Sequence, residues 1–126
     1  MIKPELFDVV ELVIDVPDHN LRSGVRGAIV HCHAGDIYEV EFINEEGETV
    51  AIFPLSADRF IVVWQAATGT WLPIAEQIAA LIAHLPEETG REVLDFARFL
   101  IERRQRQCAE TEAVGNVVTN GATFTG

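Results

Sequence analysis

The sequence predicts an α+β chain: a small antiparallel β-barrel of about five strands over residues 1–66, a helical hairpin over 67–107, and a short mobile tail over 108–126. Three observations carry this expectation. Apolar residues recur with period two through several short runs before residue 66. Tight turns join these runs, with no crossover helix between them. Beyond Trp71 the apolar period changes to that of a helix. Closure into a barrel would also remove the edge that the apolar run "FIVVW" offers for pairing with other chains.

"DVVELVID" (8–15) is rich in β-branched residues and stops at "VPDHN", where Pro17, Asp18 and Asn20 favour a loop. "SGVRGAIV" holds Gly24 and Gly27 with no lysine after them and no helix starting there, so it does not cradle a phosphate. These glycines instead suit a tight bend into the strand "VRGAIVHCH" (25–33). "IYEVEFI" (37–43) alternates strictly, setting Tyr38, Val40 and Phe42 on one face and Glu39 and Glu41 on the other. "NEEGE" supplies a hairpin turn with Gly47 available for positive φ. "TVAIFPL" (49–55), the turn "SADR" and "FIVVW" (60–64) complete the set.

In "LPIAEQIAALIAHL", Pro73 suits a first helical turn, and Ile74, Ile78, Leu81 and Leu85 form one apolar stripe. "LPEE" then starts a second helix of about 20 residues. Glu87 and Glu88 stand at the positive end of its dipole, and Arg103, Arg104 and Arg106 at the other. Glu87 with Arg91, Arg98 with Glu102, and Glu102 with Arg106 have the four-residue spacing of helix ion pairs. At 100° per residue, Val93, Leu94, Phe96, Ala97, Leu100 and Ile101 fill an arc of about 160°, wider than one short neighbour covers. Phe99 lies outside the arc, beside Glu92, Asp95 and Glu102. An aromatic ring on the polar side is a candidate partner contact, and the expected binding residues are Val93, Phe96, Phe99, Leu100 and Arg103.

Nine basic and twenty acidic residues give a formal net charge of -11, and residues 1–66 alone hold four basic and twelve acidic side chains, a balance that repels phosphate backbones. The start, "MIKPELFDVVEL", lacks the pattern of an export signal, and no apolar run reaches the roughly 20 residues of a membrane span. Cys32 and Cys108 show no paired spacing and are expected as reduced thiols in a cytoplasmic protein.

Chemistry is sparse. His31 and His33 point the same way on a strand, as two metal ligands would, with Asp36, Glu39, His19 or Cys108 as possible third ligands. The competing reading sets both histidines on a wet face with Cys32 packed inside. His84, before Pro86, suits a helix junction. Ser23 and Ser56 have no neighbouring base for nucleophilic work, and Glu45 with Glu46 sits in a solvated hairpin tip. Neither an enzyme nor a cofactor is expected.

The runs "LFDVVELVIDVP", "LRSGVRGAIV", "YEVEF" and "LSADRF", within residues 6–64, resemble the bacterial domain of unknown function 4926. That resemblance implies an SH3-like barrel without an assigned activity. "LIAHLPEETGREVLDFARFLIERR" (81–104) resembles the VapB-associated, antitoxin-like domain of unknown function 2281, in Leu85, Pro86, Glu87 and Glu88 followed by Glu92, Val93, Leu94, Asp95 and Phe96. It implies a helix that pairs with itself or docks on a toxin. The expected function is therefore that of a non-enzymatic interaction module acting as a homodimer or on a protein partner such as a toxin. The alternatives are a nucleic-acid or ribosome-associated small barrel, and a metal-binding protein using His31 and His33.

Overall fold

The structure, a computed structural model, describes residues 2–119, with side chains described for 2–109. The chain divides into two compact units, Met1–His84 and Leu85–Gly126.

The first unit is built on six strands: β1 (Val9–Leu12), β2 (Arg26–His33), β3 (Ile37–Ile43), β4 (Thr49–Ser56), β5 (Phe60–Gln65) and β6 (Thr70–Trp71). They form one sheet in the order β4-β3-β2-β1-β5-β6, with every neighbouring pair antiparallel. The alternation of β3 is as expected: Tyr38, Val40 and Phe42 are buried and Glu39 and Glu41 are half-buried. The turn after β3 is held by Asn44, whose Oδ1 accepts from the amides of Glu46 and Glu48, each at 2.9 Å, with Gly47 at φ 82°.

The expected closed, SH3-like barrel is corrected: the sheet is open, with β4 and β6 at its edges and no ladder joining them among the described residues. Alternation and tight turns define antiparallel neighbours equally well in an open sheet. Closure depends on stagger between the outermost strands, which no local pattern encodes. β4 keeps Pro54 within its run, as an edge strand tolerates. β6 has only two residues, paired as Trp64↔Trp71 and Gln65↔Thr70, with the Arg26 guanidinium 5.1 Å from the Trp71 ring centre.

Without closure, the open sheet still buries one face. Register shifts at Val9/Val10, Ile29/His31 and Phe42/Ile43 add local twist, and Val10, Leu12, Ile29, Val40, Phe42 and Phe60 share a single apolar cluster. Gly27 belongs to this packing. A Cβ there would sit 2.8 Å from both the Phe42 ring and the Glu41 carbonyl oxygen. Gly24, at φ 94°, makes the expected bend into β2.

Asp8 anchors the start of the sheet. Only 1% exposed, its carboxylate accepts from the Glu5 amide at 2.9 Å and the Ala66 amide at 2.8 Å, tying the entry of β1 to the exit of β5. The same cradle holds Phe7 at φ 70°, a left-handed conformation that costs roughly 1–2 kcal/mol for a residue with a side chain.

α1 (Ile74–Ile82) follows β6 and lies against β5, whose Ile61 and Val63 are also buried. The expected stripe does not face inward: Ile74, Ile78 and Leu81 on α1, and Leu85 beyond it, are all exposed. The less exposed positions of α1 are Gln77, Ala80 and Ile82, and Gln77 Nε2 donates to the Leu72 carbonyl at 2.9 Å. His84 closes the segment, its Nδ1 2.9 Å from the Ala80 carbonyl oxygen.

The second unit consists chiefly of α2 (Glu87–Thr119), 33 residues long. It runs through residues 108–119, which the sequence places in a tail; residues 120–126 lie outside the described residues. That stretch carries Gly115 and several β-branched residues, which hide a helix from pattern reading. Extending an existing helix nevertheless requires no new nucleus. Among the described residues no helix is long and apolar enough to cross a membrane.

Candidate interaction surface

The five side chains expected to bind a partner all stand on α2. Leu94 and Phe99 are each 49% exposed and Phe96 and Ile101 60%, whereas Val93 and Leu100, nearer the middle of the arc, are half-buried. Phe99, assigned by angle to the polar side, is joined to the apolar arc by its ring. It stacks on Phe96 with centroids 6.1 Å apart and planes 22° from parallel, and the Arg103 guanidinium lies 5.8 Å from its ring centre. Spacings of three and four residues bring Phe96, Phe99 and Arg103 onto successive turns, so the patch follows directly from helical geometry. At 100° per residue Phe99 lies about 60° beyond Phe96, with Glu92 and Arg103 between the two rings.

The charged side chains around the patch are solvated. Glu102 and Arg106 form the expected pair at 3.5 Å, whereas Arg98 turns to Asp95 at 3.6 Å. All four of these side chains are about two-thirds exposed or more, which makes each pair worth only a few tenths of a kcal/mol.

The two histidines do come together. The rings of His31 and His33 lie edge to face with centroids 4.5 Å apart, and His33 Nε2 is 3.2 Å from Glu39 Oε1. His19 is elsewhere, stacked on Phe53 at 4.0 Å with planes 2° apart. Among the described residues no group of three or more His, Cys, Asp and Glu side chains is placed to hold a metal ion. Cys32, expected inside the strand, is exposed, as is Cys108, and neither is in a disulfide. Residues 31–33 are all exposed, the alternation of β2 ending at the register shift between Ile29 and His31.

Beside that tip is an open cleft of about 440 Å³, lined in part by Lys3, Cys32, His33, Asp36 and Tyr38, which sequence reasoning did not anticipate. Tyr38 is 3% exposed, and its ring packs edge-on against Phe60 with centroids 5.8 Å apart. Burial, followed by the electrostatic influence of the neighbouring Asp36 and Cys32, pushes its hydroxyl above the ordinary tyrosine pKa. The cleft gathers residues from a loop, a strand end and the chain start, and no single run of sequence signals it. Its mixed lining selects no ligand class.

Residues 6–62 match the family described as a domain of unknown function (DUF4926). These residues form most of the open sheet, so the closed barrel implied by the resemblance does not hold for this chain. The likeness of residues 81–104 to domain of unknown function 2281 has no counterpart in this match, which ends at residue 62. No curated protein and no solved structure matches the chain. What the comparisons establish is a similarity between the N-terminal region and the DUF4926 family.

Proposed function

We propose that the chain is a non-enzymatic protein-interaction module that associates with a second copy of itself through α2. One observation carries the reading: Leu94, Phe96, Phe99 and Ile101 are all exposed within about two turns of one helix. With an aromatic side chain offering about 200 Å², Phe96 at 60% and Phe99 at 49% exposure present about 220 Å² between them. That is roughly a quarter of the 800 Å² a stable interface buries on each partner. Aromatic rings beside an arginine are also the composition of interface hot spots.

A second copy carries the same patch by construction, and identical patches meet across a two-fold axis. The test is size-exclusion chromatography of the intact protein and of a Phe96→Asp, Leu100→Asp variant, with circular dichroism to show that both are folded. The expected result is a dimer for the intact chain and a monomer for the variant, with self-association weakened more than about 100-fold, as for loss of a hot-spot pair. A folded variant that elutes as the intact chain does removes α2 as the working surface.

A further inference from the structure

The helix also carries information about direction. Between residues 87 and 95 its charged side chains are Glu87, Glu88, Arg91, Glu92 and Asp95: four carboxylates to one guanidinium. Between 96 and 106 they are Arg98, Glu102, Arg103, Arg104 and Arg106, in the opposite proportion. The sign therefore changes at the aromatic patch. The helix dipole adds partial charges of the opposite sense at the helix ends, but these fall off within one turn and do not cancel side-chain charge along the middle of α2.

We infer that α2 pairs antiparallel with α2 of a second copy, with the overlap of the two 87–106 segments centred near Phe96 and Ala97. This rests on the self-association proposed above and assigns its geometry. In the antiparallel arrangement the apolar sectors meet at the two-fold axis, and Glu88 and Glu92, near the Phe99 edge of the sector, come beside Arg103 and Arg106 on the same edge of the other copy. A parallel pair sets acidic on acidic and basic on basic, which is repulsive at both ends. Ala97, near the middle of the arc, is small enough for the helices to approach there. Glu110 and Glu112 lie beyond the overlap.

The native Cys108 provides the measurement. With Cys32→Ser leaving a single thiol, a nitroxide label on Cys108 in the full chain reports the distance between the two copies by pulsed electron resonance. An antiparallel overlap centred between residues 96 and 97 puts the two labelled positions about 35 Å apart at 1.5 Å per residue. A parallel pair puts them at about the interaxial distance of 10 Å, a result that overturns the antiparallel assignment while leaving self-association intact. No dipolar coupling together with a monomeric mass overturns the underlying reading as well.

A second variant, Arg104→Glu with Arg106→Glu, gives independent access to the same question. Antiparallel pairing predicts at least a tenfold loss of association and a reversed response to added salt, which now strengthens association, because attraction between unlike halves has been replaced by repulsion that salt screens. Unchanged association in a folded variant contradicts the assignment.

Discussion

Replacing Asp8 by alanine removes the acceptor for two amides at once, and the cost follows from the geometry. The Glu5 and Ala66 amides donate to it at 2.9 and 2.8 Å, and the carboxylate itself is 1% exposed, so water cannot readily take its place. A partly buried donor left without a partner costs about 1–3 kcal/mol. Taking the lower half of that range for two donors gives about 3 kcal/mol, and the strained Phe7 turn loses its support in the same step. In a domain of the size of the first unit, each kcal/mol lowers Tm by about 4–8 °C, so Asp8→Ala is expected to melt roughly 15 °C lower. Asp8→Asn keeps one acceptor oxygen and is expected to lose about half as much. Urea titration followed by tryptophan fluorescence measures both variants, with the slope in denaturant unchanged. An Asp8→Ala protein within 0.5 kcal/mol of the parent, or one more stable than Asp8→Asn, refutes the reasoning.

Gly27→Ala is expected to destabilise the sheet by about 1–3 kcal/mol, because its Cβ meets the Phe42 ring and the Glu41 carbonyl at 2.8 Å. Adding Phe42→Leu to that variant should cost less than the same change in the parent, which thermal melts of the four proteins in the cycle decide. Tyr38 is the sole tyrosine, so ultraviolet titration reports it alone, and its midpoint is expected above the usual value near 10. Because folding raises this pKa, the stabilisation it brings is complete below pH 10 and is lost as pH rises through the raised value. The fall in stability across that window should be shallower in Tyr38→Phe. A midpoint at or below 10 in the folded protein excludes the environment described for the hydroxyl.

Local pattern carried most of the strands. The alternation of Tyr38, Val40 and Phe42, the Asn44–Gly47 turn and the bend at Gly24 are set by near neighbours, and the structure keeps them where the sequence places them. Properties that depend on distant parts of the chain were not legible. Barrel closure is decided by whether β4 and the last strand meet, and β6 is too short to leave a periodic signal. Asp8 reads as one more polar residue at a strand start until Ala66, 58 residues later, is brought to it. The stripe on α1 follows helical spacing, but the side turned away from solvent carries Gln77 and Ala80, where a small side chain permits approach. On α2 the expected binding residues are on one surface, though Phe99 joins it by leaning onto Phe96, a rotamer choice that an angular projection of the sequence does not contain.

The central claim is that this helix surface holds two copies of the chain together. Sedimentation equilibrium of the unmodified protein over a series of concentrations tests it most directly. The account predicts a mass approaching twice 13.9 kDa as concentration rises, with the dimer weakened by added salt. A mass that stays at 13.9 kDa throughout the micromolar range contradicts it.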